Sequence, residues 1–250
     1  MLRQVIIASV PWRIDNLRKL VAEVLRQGFS IGLILDHYSP EQNLEIKKEV
    51  RSHPVRIYNS YDLPGHVLRW EYAQSCETFA ILDDDLAIEQ GYLENGFASL
   101  LMNKGQVIGY AGWAKTGEYL TFDSAPTDFQ LLEVTHCNSF FGFGADIAEF
   151  LKSKFANDTD MLKIDDERFI SAFYHSQGWN MLRPPGRAKV QEVLKYSKDP
   201  RRLYMRARIR LRKIQIRKIQ KDLGLAVGRR EALKKYGDEK CVVQNPKYLP

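Results

Sequence analysis

Along the first 86 residues, short continuous apolar runs alternate with stretches in which apolar residues recur every three or four positions. The runs at 3–10 (RQVIIASV), 30–36 (SIGLILD) and 55–60 (VRIYNS) read as strands, and 78–82 (TFAIL) has the pattern of a strand covered on both faces. Between the first two, Leu17, Leu20, Val21, Val24 and Leu25 fall at helical spacing over 16–27, and Gly28 is placed to close that helix. A more polar helix is expected over 40–51 and another over 64–76. This β-α-β-α-β-α-β order predicts a parallel sheet with helices on both faces, whose ligands bind at the carboxyl ends of the strands. Ser9, Asp36, Asn59 and Asp83 to Asp85 all lie at such ends.

After residue 86 the rhythm changes. Segments 106–114 and 131–144 read as further strands separated by a polar loop over 115–130. A helix is expected over 145–154. The segment 163–179 (KIDDERFISAFYHSQGW) carries an acidic cluster ahead of a helix that stops at Gly178. A last helical pattern covers 199–224, where Arg202, Arg206, Arg210, Lys213 and Arg217 fall within one arc of about 80° flanked by apolar stripes.

Charge sharpens that picture. Residues 1–197 carry a net charge of −6 and residues 198–250 one of +12, a mildly acidic body with a strongly basic tail. A basic amphipathic helix can lie on an anionic membrane, pack on its own body or a second subunit, or bind nucleic acid, with membrane ranked first and nucleic acid last. In 250 residues there are three cysteines, Cys76, Cys137 and Cys241, without metal-type spacing, as expected in a reducing compartment. No run reaches the roughly 20 apolar residues that span a bilayer, and the opening residues lack a signal-peptide layout. The expected location is cytoplasmic, peripheral on the inner face of the membrane if the tail binds lipid.

The candidate chemistry centres on Asp83, Asp84 and Asp85. Three adjacent carboxylates repel one another unless positive charge lies between them, and a divalent cation is the simplest such partner. The alternative is a solvated turn with an aspartate capping a helix that starts near Ile88. By strand alternation Asp83 and Asp85 share a face and Asp84 turns to the other, as a turn or helix cap. Arg69 could reach a diphosphate or pair with Glu71 at the surface, and Arg13 is similarly placed. His136, His175, Trp113 and Trp179 are read as structural before functional. The stretch FFGFG (140–144) lacks a phosphate-loop arrangement and reads as a pocket floor or a buried aromatic strand.

These residues together resemble a GT-A fold glycosyltransferase, with likeness to family 2-like and exostosin-like enzymes. The resemblance covers roughly 3–185 and rests on ASVPWR at the end of the first strand, LILDHYS at the second, ILDDDL at the fourth, and IDDERFISAFYHSQGW some 80 residues on. It implies a Rossmann-like α/β/α sandwich with a mostly parallel mixed sheet, plus a basic helical extension. The catalytic domain would be 1–197, divided into a nucleotide-binding half (1–86) and an acceptor-binding half (87–197), with 198–250 as the tail. A nucleotide sugar, UDP-linked by preference, would be held by Ser9, Pro11, Arg13, Asp36, Arg69, Asp83 and Asp84. Mn²⁺ or Mg²⁺ would be held by Asp85 with Asp83. Asp166 would be the catalytic base beside Asp165, weakly favouring inversion, and the acceptor would be a glycan or lipid-linked sugar of a surface polysaccharide pathway. The sequence departs from the common pattern in ending the second strand on His37, Tyr38 and Ser39, and in carrying Ala172 where an arginine is usual. Nucleotidyl or other metal-dependent phosphoryl transfer is the alternative chemistry, and a non-catalytic sugar- or nucleic-acid-binding module the alternative class. Oligomer formation is left open.

Overall fold

The computed structural model describes residues 3–60, 65–103, 106–157, 165–192, 215–236 and 242–243. Its frame is the predicted alternation: β1 (Arg3–Ser9), a 3-10 turn (Pro11–Arg13), α1 (Ile14–Arg26), β2 (Ser30–Asp36), α2 (Pro40–Val50), β3 (Val55–Ser60), α3 (Gly65–Ala73) and β4 (Thr78–Asp83). Strands β3, β2, β1 and β4 lie side by side in that order and are all parallel. The runs of β1, β2 and β4 are continuous because those strands are covered twice, while β3 at the end of the order leaves Arg56 and Tyr58 exposed. Val5, Ile7, Leu33, Leu35, Ala80 and Leu82 face one core, while Ile6, Ile34, Phe79 and Ile81 face the other.

Local signals fix the helix ends. Ser39 and Gln42 form a reciprocal capping box with Pro40 in the first turn of α2. Gly28 takes the left-handed φ of 82° that ends α1, with Phe29 N reaching back to Val24 O.

Beyond Asp83 the chain turns through Asp84 and Asp85 into β5 (Leu86–Ile88), which pairs antiparallel with β12 (Val190–Glu192) in a separate two-stranded ribbon. No helix starts near Ile88; α4 (Tyr92–Met102) begins later, and its N-cap is Gly91. The sheet then continues with β6 (Gln106–Gly109), β7 (Gly112–Ala114), β8 (Tyr119–Leu120), β9 (Phe129–Thr135), β10 (Ser139–Phe143), β11 (Asn180–Arg183) and β13 (Val242–Val243). From β4 its order runs β10-β6-β11-β9-β7-β8, with β13 also on β9, and of these only the β6–β11 pair is parallel. The stretch expected as one strand over 131–144 divides at His136–Asn138 into β9 and β10. Strand β10 is a buried aromatic strand antiparallel to β4. A Cβ on Gly144 would stand 1.9 Å from the Cys76 carbonyl oxygen, so the last glycine of FFGFG lets α5 (Gly144–Lys152) start against α3's end.

Helices α1, α2 and α4 supply one core, while α3, α5 and α6 (Asp166–Ser176) supply the other. The described part of the basic tail is a helix over 215–222, here α7, followed by α8 (Arg229–Tyr236). Residues 199–214, most of the predicted tail helix, and Cys241 lie outside the described residues. Cys76 and Cys137 are buried free thiols. Among the described residues no helix is long and apolar enough to cross a membrane.

Candidate active site

The three aspartates obtain their positive charge from two arginines. Asp83, the last residue of β4, accepts from Arg69 Nη1 at 3.0 Å. Asp84 is buried and accepts from the Val10 amide at 3.1 Å and from Arg13 Nη1 at 2.7 Å. The same Arg13 nitrogen lies 3.2 Å from Asp85 Oδ2. Strand alternation does not sort these acids as expected, because the strand stops at Asp83 and its neighbours sit in a turn. Asp84 is not a cap: it ties the end of β1 and the loop carrying Pro11 and Arg13 to the rim of β4.

Arg69 is likewise no surface partner of Glu71. It projects from α3, is 4% exposed, and donates through its second nitrogen to Asp166 Oδ2 at 2.8 Å. Trp70 Nε1 donates to that same oxygen at 2.8 Å. The buried guanidinium therefore bridges the end of β4 to the first residue of α6, from position 83 through 69 to 166. Burial disfavours its charge, but the two carboxylates outweigh that and hold Arg69 above its ordinary pKa. Burial raises the Asp83 carboxyl to about 7 against the pull of Arg69, with Asp85 and Asp84 adding to the rise. Asp165 caps α6 by accepting from Arg168 N at 3.3 Å and pairs with the Arg168 guanidinium at 2.5 Å. Burial lifts it to about 6 although Arg168 opposes the shift.

The residues expected to hold a nucleotide line the same rim. Ser9 Oγ lies 2.8 Å from the Tyr38 hydroxyl, which donates to Val10 O at 3.0 Å. Pro11 opens the 3-10 turn. Asp36 Oδ2 accepts from the Gly65 amide at 3.0 Å, so α3 begins directly on the end of β2. His37 turns the chain there with a φ of 59°.

Four residues to which sequence reasoning gave no role belong to this network: Tyr38, Trp70, Glu167 and Arg168. Glu167 stood in the quoted acidic cluster, and the pattern gave it no separate role. Its Oε1 lies 3.0 Å from His136 Nδ1 and accepts from Cys137 N at 3.2 Å. Burial raises the Glu167 carboxyl, but His136 and the nearby arginines overcome that and take it down to about 2 from 4.5. Burial lowers His136, and Glu167 more than compensates, so the imidazole titrates above its ordinary 6.5. The signs give a pH window. A depressed carboxylate stabilises above 4.5 and loses that contribution as pH falls towards 2. A raised histidine stabilises below 6.5 and loses it as pH rises through its folded value. The pair therefore contributes most between pH 4.5 and 6.5. The difference in unfolding free energy between wild type and His136→Gln, measured by denaturant titration, should peak in that window at about 1 kcal/mol, and a flat difference from pH 4 to 9 would refute the assignment.

Residues of the tail fasten α6 from outside. Glu133 of β9 is fully buried and accepts from the Ala226 amide at 2.6 Å, Lys235 Nζ at 2.9 Å and the Tyr236 hydroxyl. His175 of α6 lies 2.9 Å from the Glu133 carbonyl, so both histidines have structural partners. Ile219 and Leu225 are buried against the body. With its amide oriented to satisfy both partners, Gln220 accepts from Arg168 at 2.8 and 2.7 Å. Of the readings of the tail, packing on its own body is the one that 215–236 adopts.

No family model and no curated protein matches the chain. Solved structures do. A crystal structure of S. aureus TarS 1–349 superposes with a TM-score of 0.53 at 16% identity, over 93% of this chain and 68% of that one. The same fragment in complex with UDP gives 0.55 at 15%, with the same coverage. A longer TarS structure gives 0.54 at 17%, of which this chain spans 41%. The fold is that of GT-A glycosyltransferases.

Proposed function

We propose that the chain is a glycosyltransferase that moves a sugar from a nucleoside diphosphate sugar, UDP-linked by preference, to a glycan or lipid-linked acceptor. The observation that carries this reading is the Asp83–Arg69–Asp166 bridge, which sets a candidate diphosphate-side acid and a candidate base on one buried cation at the carboxyl rim of a GT-A sheet. The UDP held by the similar TarS structure supports the choice of nucleotide.

Ser9, Pro11, Asp36 and the Asp84-anchored Arg13 loop frame the nucleotide end, and Arg13 and Arg69 offer positive charge to a diphosphate. Asp166 Oδ2 is engaged by Arg69 and Trp70, so Oδ1 is the oxygen to take the acceptor hydroxyl's proton as that oxygen attacks the anomeric carbon. Such a base favours inversion. Asp165 and Arg168 hold the first turn of α6 in place.

For a metal, the carboxylates of Asp83 and Asp85 suit a hard cation such as Mn²⁺ or Mg²⁺. Among the described residues no group of three or more His, Cys, Asp or Glu side chains gathers to hold an ion. The residues fit only if a bound diphosphate and water supply the remaining oxygens. The ion would then stabilise the charge gathering on the departing diphosphate.

Titration of a nucleotide-sugar panel with Mn²⁺, read by thermal shift and by donor hydrolysis, tests the reading. A UDP-sugar should raise the melting temperature, chelator should reverse the rise, and Asp85→Asn should lower hydrolysis roughly 100-fold. Turnover of nucleoside triphosphates alone would replace this reading with nucleotidyl transfer.

A further inference from the structure

A cleft of about 790 Å³ lies between the tail segment and β7, walled by Trp113 and by residues 217–235. Its size is that of a ligand site and not of a surface dimple. Its charge is one-sided: Arg217, Lys221, Lys234 and Lys235 face a single acid, Glu231. Two of these five groups are already used. Lys235 is held by Glu133 and the Gly224 carbonyl, and Glu231 accepts from the Val227 amide at 3.1 Å. Arg217, Lys221 and Lys234 are exposed and have no ion-pair partner among the described residues, so three cations converge on one concavity.

The cleft is joined to the candidate base by two contact tracks. Trp113 packs on Tyr119 with ring centroids 5.2 Å apart, the Tyr119 hydroxyl lies 3.1 Å from His136 Nε2, and His136 pairs with Glu167 beside Asp166. On the other side, Gln220 holds Arg168, which holds Asp165. The walls of the cleft are thus tied to the first turn of α6, through Gln220 on one side and Tyr119 on the other.

We propose that this cleft binds a polyanionic glycan as the acceptor, a sugar chain bearing carboxylate or phosphate groups. The inference rests on the glycosyltransferase reading and names the substrate class of that site. Anionic membrane fits the described segment poorly, because Ile219, Leu225 and Ala226 are buried in the body and Leu233 is the one large apolar side chain that 215–236 leaves exposed. Single-stranded nucleic acid needs a row of exposed stacking rings, whereas the cleft offers one tryptophan, half-buried and tilted against Tyr119.

Hexagalacturonate serves as the anionic probe and maltohexaose as its neutral counterpart, each titrated into the full chain at low and at physiological salt. The expected result is binding of hexagalacturonate only, weakened by salt and by the exposed triple replacement R217E/K221E/K234E, the latter roughly tenfold or more. A melting temperature close to wild type would establish that the triple variant is folded. Equal binding of maltohexaose, an unaltered affinity in the variant, or tighter binding of phosphatidylglycerol vesicles or single-stranded RNA would each overturn the proposal. UDP is titrated with Mn²⁺ in parallel on the wild type. UDP binding without hexagalacturonate binding removes the cleft and keeps the transferase; the reverse removes the transferase reading and keeps the cleft.

Discussion

Replacing Asp166 by asparagine should lower the turnover of sugar transfer by 10²- to 10⁴-fold, the range expected for loss of a positioned general base. Affinity for UDP should change little. An asparagine can still offer an oxygen to Arg69 and Trp70, whose nitrogens both lie 2.8 Å from Asp166 Oδ2. What it cannot do is accept the proton of an attacking hydroxyl. Steady-state transfer rates measured beside calorimetric UDP titration separate the two effects. Undiminished turnover would remove Asp166 from the chemistry, and a parallel collapse of UDP affinity would reassign it to holding the site together.

Arg69→Met should be the most damaging change to stability among the residues of this site. It keeps the length and apolar stem of the side chain but strips the cation from a buried position flanked by Asp83 and Asp166. Removing one partner of a buried ion pair costs about 3–5 kcal/mol, because the remaining charges are left uncompensated. In a chain of this size that corresponds to a fall of roughly 10 °C in melting temperature. The loss should depend on pH. Burial holds the Asp83 carboxyl at about 7 even against Arg69, and without the arginine that rise is unopposed. A carboxyl raised on folding adds stability below its unfolded value and loses it as pH rises through the folded one. The variant should therefore lie closer to wild type at pH 5 than at pH 8. Equal deficits at both values would mean that the bridge is maintained by packing and not by charge.

The first 86 residues were legible because their physics is local. Four strand-like runs, separated by helical stretches of which Gly28 closes the first, leave one sensible arrangement, and the boundaries of β2 and β3 match to the residue. Legibility ended where a residue's partner is distant. Arg69 and Asp166 are 97 positions apart, and nothing in the period of α3 says that its arginine points inward. The strand β5 has three residues, too few for any period, and its partner begins some hundred positions later at Val190. Glu133 sits in LLEVT, where alternation suggests a solvent-facing side chain; its burial follows from the return of the chain over it. In the tail the amphipathic pattern was plain, but a stripe of apolar residues does not say what covers it.

The seating of Glu133 bears on how this protein could be rearranged. A cut at residue 197 divides body from tail by composition, yet it would part a buried anion from the lysine, tyrosine and amide that neutralise it. The body would keep a bare carboxylate in its sheet, and the released piece would lose the groove that its leucine and isoleucine fill. Recombination or grafting of the sheet-bearing body must therefore carry the chain through Tyr236, so that the basic end travels with its anchor and cannot be traded as an independent module.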